Sequence, residues 1–171
     1  MNDLHISWTQ YHSLIEQLAI KIHQSNWKCD RIVCLAKGGL RVGDILCRIF
    51  DVPLAILSTA SYGGEDGKTR GKIQVSANLS MLEESLTGKV LLVDDLVDSG
   101  VSLKVAQQWL QTRYSKDISE LKTAVIWYKN SSEVQPDYWV EYLADNPWIH
   151  QPFEKYEQIN INSLIKLHEQ I

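Results

Sequence analysis

Four short runs in this chain are apolar almost without interruption, and that limits the fold more than any other feature. "RIVCLA" (31–36), "VPLAILS" (52–58), "KVLLVDD" (89–95) and "LKTAVIWYK" (121–129) are these runs. Strands that are continuously apolar are buried on both faces, which is the habit of parallel sheets. Helix-length segments lie between the runs: "RVGDILCRIF" after the first, and a stretch from about Val101 to Tyr114 after the third, with Val101, Val105, Trp109 and Leu110 expected on one side. The expected fold class is therefore α/β, a mostly parallel twisted sheet flanked by helices. Sheets of this kind bind ligands beyond the carboxyl ends of their strands.

Other segments fit around that frame. Tyr11, Leu14, Ile15, Leu18 and Ile22 recur at helical spacing, and Ser7 with Gln10 offers a capping box. Pro53 stands at the start of its strand, where a missing donor costs least. Residues 59–78, with four glycines and mixed charges, read as a long loop. After Lys129 the chain turns aromatic and proline-rich, and returns to helix only at "INSLIKLHEQ". This divides it into a core, 1–130, and a small hood over the sheet, 131–171.

Composition removes several functions. A formal net charge of −4 makes the chain a poor candidate for holding nucleic acid by phosphate neutralisation. The start, MNDLHISW, lacks the layout of a signal peptide, and no apolar run approaches bilayer-spanning length, so cytoplasm is the expected location, with no membrane partner. Three cysteines without a C-x-x-C pair, and five scattered histidines, encode no zinc site. Cys34 and Cys47 read as small buried hydrophobes.

The chemistry gathers where "VLLV" (90–93) gives way to "DDLVDSGVS". Asp94 and Asp95 leave a strand end pointing in different directions, able to accept hydrogen bonds from two sugar hydroxyls or to orient water on a magnesium ion. Solvated strand-end acids are the bland alternative. Ser99, Gly100, Val101 and Ser102 enter a helix whose first amides and positive end suit a phosphate dianion. Asp98 has two readings that exclude each other. It caps that helix, as Asp commonly does, or it leaves those donors to a phosphate and faces what the phosphate's sugar carries.

VLLVDDLVDSGVS resembles the signature of type I phosphoribosyltransferases. The resemblance implies that Ser99, Gly100, Val101 and Ser102 hold the 5-phosphate of phosphoribosyl pyrophosphate, that Asp94 and Asp95 read the ribose hydroxyls and carry Mg2+, and that Asp98 manages the proton on the base. "AKGGL" (36–40) resembles the family's pyrophosphate loop, with Lys37, Gly38 and Gly39 at the anion. In relatives the peptide bond after the residue matching Lys37 can be cis. The 59–78 segment matches the family's flexible lid, Ser61-Tyr62 included, leaving Arg70 or Lys72 to reach pyrophosphate.

"NPWIHQPFE" resembles "TWIEQPWD" of the bacterial xanthine-guanine enzymes. By that match Trp148 stacks on the base and Ile149 offers its backbone carbonyl to the purine 2-position. Lys129 is a donor only and favours a 6-oxo group over adenine's amine. Taken singly, Trp148 reads as a core aromatic and Lys129 as a surface lysine. The departures are Lys37 for a common Arg, Phe153 for a Trp and Glu154 for an Asp, and they bear on the 2-position. The partners implied are phosphoribosyl pyrophosphate, a purine base and further copies of the chain, as homodimer or homotetramer. A second reading keeps the fold as a non-catalytic sensor of phosphoribosyl pyrophosphate, and a third keeps the enzyme but changes the base.

Overall fold

The computed structural model describes residues 3–62 and 72–169. Its elements run β1 (Leu4–His5), α1 (Trp8–Gln24), β2 (Arg31–Ala36), α2 (Leu40–Phe50), β3 (Leu54–Tyr62), β4 (Lys72–Val75), β5 (Gly88–Val93), β6 (Leu96–Val97), α3 (Val101–Arg113), β7 (Ile118–Lys129), β8 (Tyr138–Leu143), β9 (Ile149–His150), α4 (Lys155–Gln158) and α5 (Ile161–His168). They form two compact units, Leu14–Asn146, and Met1–Ser13 with Pro147–Ile171.

The larger unit is built on a sheet of order β4-β3-β2-β5-β7-β6, with β8 also paired to β7. All pairings are parallel except β3 with β4. The all-apolar runs account for this. Ile32, Val33, Cys34, Val90, Leu91, Leu92 and Val93 are each fully buried. Such strands have no wet face, and burying each large aliphatic side chain contributes about 1.5–3 kcal/mol, so β2 and β5 make the stiff centre of the unit. Gly43 of α2 lets that helix approach β2 closely, since a Cβ there would stand 2.6 Å from Cys34 Cβ. Burial pushes the Cys34 thiol up to about 12, which leaves it an inert hydrophobe at neutral pH. Cys47 is only half-buried, contrary to its reading as a core residue, because it lies towards the outer side of α2.

Helix α1 forms as its spacing predicts. The Ser7 amide donates to Gln10 Oε1 at 2.9 Å and the Gln10 amide to Ser7 Oγ at 3.2 Å, a reciprocal capping box. Tyr11, Leu14, Ile15, Leu18 and Ile22 are all buried.

Three expectations need correction. Residues 59–78 are not one loop: β3 continues to Tyr62 and β4 returns antiparallel, with Thr59 opposite Val75 and Tyr62 opposite Lys72. The four glycines are confined to 63–71, and the flanking "TASY" and "KIQV" have strand-forming residues enough to pair. In α3 the buried stripe is Leu103, Ala106 and Leu110, whereas Val101, Val105 and Trp109 are only half-buried. The phase of the helix is set by its entry turn at Gly100, which hydrophobic counting does not capture.

The third correction concerns the hood. Residues 138–143 pair in parallel with β7, Val125 opposite Trp139 and Lys129 opposite Leu143, and so belong to the main sheet. Side chains fix that strand: Asp137 Oδ2 accepts from the Thr123 amide and hydroxyl at 2.7 and 2.9 Å, and Trp127 Nε1 donates to Glu141 Oε2 at 2.8 Å.

The smaller unit joins the two ends of the chain. Leu4 pairs with Ile149 and His5 with His150, and the Leu4 amide donates to the Trp148 carbonyl at 2.8 Å. Phe153 lies edge-on to Tyr11, with ring centroids 5.7 Å apart.

Candidate active site

In the larger unit the carboxyl ends of β2 and β5 and the entry to α3 come together. Gly39 opens α2 without a side-chain cap, at φ −70°. A Cβ at Gly39 would stand 2.6 Å from the Val93 carbonyl, 2.9 Å from the Leu35 carbonyl and 3.0 Å from Asp94 Cα. A Cβ at Gly38 would collide with the Asp95 carboxylate. The paired glycines are thus explained by the close approach of the 37–39 turn to the acid pair and to the ends of β2 and β5. The cis bond lies between Ala36 and Lys37, one bond before the position at which relatives can carry one, where β2 leaves its pairing with β3. Lys37 itself is exposed.

Asp94 and Asp95 lie side by side in the turn that follows β5. The Asp95 amide donates to Asp94 Oδ1 at 2.9 Å, and Asp95 is buried, 9% exposed. Burial first, and then the Asp95 charge, push the Asp94 carboxyl well above the usual carboxylate range. The expectation that the pair diverges is therefore corrected: β5 ends at Val93, before both acids, and in the turn that follows the Asp94 and Asp95 side chains are hydrogen-bonded to each other. Two adjacent hard oxygen donors that repel one another fit a magnesium ion held mainly by ligand and water. Among the described residues no three metal-binding side chains gather into an all-protein cage.

At α3 the residue in the N-cap position is Gly100, at φ 82°, and no side chain caps the helix. Asp98 is two residues outside it, so the capping reading of Asp98 does not hold. Its carboxylate accepts from Ser131 Oγ at 2.9 Å through Oδ1, and its Oδ2 lies 3.6 Å from Lys129 Nζ. Ser99 Oγ is 3.5 Å from the Val101 amide, at the limit of a hydrogen bond. The run from Asp94 to Gly100, with Ser102 and Leu103 but without Val101, lines a cavity of about 160 Å3.

Lys129 and Trp148 reverse their single-residue readings. Lys129 is buried, 5% exposed, at the end of β7, and among the described residues its charged neighbour is Asp98. Trp148, in the smaller unit, is 59% exposed, while Ile149 is buried at 7%. An exposed tryptophan beside a buried isoleucine is not a core aromatic. Arg70 lies outside the described residues, as do the side chains of Ser61, Tyr62 and Lys72.

Sequence reasoning missed two groups. Ser131 carried no motif. His150 was only a letter in the "WIHQP" match, yet its Nδ1 is 2.9 Å from Glu154 Oε2 and its Nε2 3.1 Å from Asp3 Oδ2. Glu154 also accepts from Trp148 Nε1 at 3.1 Å, and His5 stacks on the His150 ring at 4.4 Å. Hydrogen bonding to Asp3 raises the His150 pKa, and Glu154 adds to it against an opposing burial contribution. A histidine with a raised folded pKa stabilises fully below its ordinary value, and that stabilisation is lost as pH rises through the folded value. Thermal melts from pH ~6 to ~9 should therefore show the native protein losing its advantage over His150→Gln as pH rises. A constant gap between the two would contradict the paired-imidazolium reading.

This fold and strand-end arrangement define an α/β protein with a candidate ligand site at the carboxyl ends of its parallel strands. The family profile described as "Phosphoribosyl transferase domain" matches residues 7–158, and the chain belongs to that family. It is 28% identical over 160 residues to the xanthine-guanine phosphoribosyltransferase of Ruegeria sp. (strain TM1040), covering 88% of this chain and 84% of the relative. A purine phosphoribosyltransferase from Pyrococcus horikoshii Ot3 superposes at a TM-score of 0.73 with 27% identity, covering 90% of this chain and 94% of that one. The Helicobacter pylori xanthine-guanine-hypoxanthine enzyme shares the fold at a TM-score of 0.73 and 20% identity, over 92% of this chain and 100% of that one. No described helix is long and apolar enough to cross a membrane.

Proposed function

We propose that the protein is a purine-salvage enzyme of the cytoplasm that transfers a phosphoribosyl group from phosphoribosyl pyrophosphate to a 6-oxopurine. The observation that carries this reading is the buried Lys129 ammonium 3.6 Å from the Asp98 carboxylate. One group only donates hydrogen bonds and the other accepts, so the pair suits a base with a 6-oxo group and an imidazole proton nearby. The xanthine-guanine name of the Ruegeria relative supports the same base class.

In the reaction a ring nitrogen of the base bonds to ribose C1, the C1–oxygen bond to pyrophosphate breaks, and the base's imidazole proton is managed by Asp98. The first amides of α3, with Ser99 and Ser102, hold the 5-phosphate, and the 37–39 turn meets the pyrophosphate. Asp94 and Asp95 hold the ribose hydroxyls as positive charge develops on the sugar. They would also carry magnesium, directly or through water, whose chemistry is to offset charge on the departing pyrophosphate. Trp148 and the Ile149 carbonyl serve the base by their match to the xanthine-guanine pattern, and the enzyme works as a homodimer or homotetramer.

A spectrophotometric assay with phosphoribosyl pyrophosphate, magnesium and each purine in turn tests the reading. Turnover of guanine, hypoxanthine or xanthine with little adenine is expected, and Lys129→Gln should narrow the gap between 6-oxopurines and adenine. Binding of phosphoribosyl pyrophosphate without turnover of any base would instead establish the sensor.

A further inference from the structure

The turn that follows β7 is built against the turn that precedes α3, residue by residue. Ser131 Oγ lies 2.9 Å from Asp98 Oδ1 and 3.2 Å from the Asp98 carbonyl. The Glu133 amide donates to the Ser99 carbonyl at 3.1 Å. Gly100 comes so close that a Cβ there would stand 2.6 Å from Ser132 Oγ and 3.0 Å from the Val134 amide nitrogen. The supporting turn is itself fixed. Ser132 Oγ donates to the Val134 carbonyl at 2.7 Å and accepts from the Val134 amide at 3.1 Å, and the Ser131 amide donates to Asn146 Oδ1 at 3.0 Å.

Asp98 needs such support. Its side chain is 59% exposed, and packing does not choose its rotamer. An aspartate beside a turn readily accepts the amide two residues on, which here is that of Gly100. That amide belongs to the turn proposed to hold the 5-phosphate, so a collapsed Asp98 would be lost to the base and would compete with the phosphate. The Ser131 hydroxyl takes one carboxylate oxygen and leaves the other facing Lys129.

We infer that Ser131 is a positioning residue that keeps Asp98 turned away from the phosphate-binding turn and towards the base. The inference rests on the proposed role of Asp98, and its test separates the two. Steady-state kinetics and thermal melts would be run on the native protein, Ser131→Ala, Ser131→Thr, Asp98→Asn and the Asp98→Asn/Ser131→Ala double variant.

Ser131→Ala should lose roughly 3- to 10-fold in kcat, the effect of one hydrogen bond to a charged group discounted for exposure, and should raise the KM for phosphoribosyl pyrophosphate. Its melting temperature should not fall, because the freed carboxylate finds the Gly100 amide instead. Ser131→Thr should recover most of the activity, and the double variant should be no worse than Asp98→Asn alone. Native kinetics in Ser131→Ala, or a loss of activity that tracks a loss of stability, would overturn the inference. Native kinetics in Asp98→Asn would overturn the underlying reading of Asp98.

Discussion

Replacing Asp98 by asparagine is expected to lower turnover by about 100-fold to 10,000-fold, the usual contribution of a positioned acid or base, with the fold intact. The structure makes this substitution a clean one. Asp98 is exposed, does not cap α3, and touches its surroundings through Ser131 and Lys129 alone among the described residues. Asparagine can keep the Ser131 bond through its carbonyl oxygen; it loses the ability to hold a proton and the charge that faces the buried Lys129, so some loss of melting temperature accompanies the loss of turnover. Binding of phosphoribosyl pyrophosphate, followed by calorimetry, should survive, since the first amides of α3 are untouched. Native turnover in the variant would remove Asp98 from the chemistry and leave proton transfer to solvent.

The second large effect is structural. Gly39→Ala should destabilise the protein by about 1–3 kcal/mol, the range for overpacking a tight site. For a chain of this size that is a drop of roughly 2–12 °C in melting temperature. The added Cβ would meet the Val93 and Leu35 carbonyls at 2.6 and 2.9 Å, which are backbone atoms of the two central strands and cannot rotate aside. Because β5 leads into the acid pair and β2 into the 37–39 turn, affinity for phosphoribosyl pyrophosphate should fall with stability. Gly38→Ala provides the contrast. Its Cβ meets the buried Asp95 carboxylate rather than strand backbone, so binding should suffer more than melting temperature. Calorimetry and thermal melts on both variants distinguish the two. Unaltered stability in Gly39→Ala would show that the strand ends have room to give.

Local pattern was enough for the parts of the molecule whose environment is set by near neighbours. The apolar runs gave β2, β5 and the buried half of β7, because a strand with no polar alternation can only sit inside a sheet. The reciprocal Ser7–Gln10 cap and the buried face of α1 likewise follow from residues three and four apart. The acids after β5 and the glycines after β2 were legible as a site, since ligands gather at strand ends in this class of sheet.

What the sequence could not decide depended on partners far along the chain. The two-residue strands β1 and β9 join positions 4–5 to 149–150, too short for any periodicity and too distant for any local signal. Nothing local marks 138–143 as part of the main sheet either; the Trp127–Glu141 and Thr123–Asp137 bonds across β7 place it there. The burial of Lys129 and exposure of Trp148 reverse what each residue type does on average. Asp98 shows the division most clearly. Its sequence context offers a helix cap and a free carboxylate, and the choice is made by the entry turn of α3, which puts Gly100 at the N-cap and leaves the Asp98 carboxylate 2.9 Å from Ser131 Oγ and 3.6 Å from Lys129 Nζ, partners that only the fold brings near.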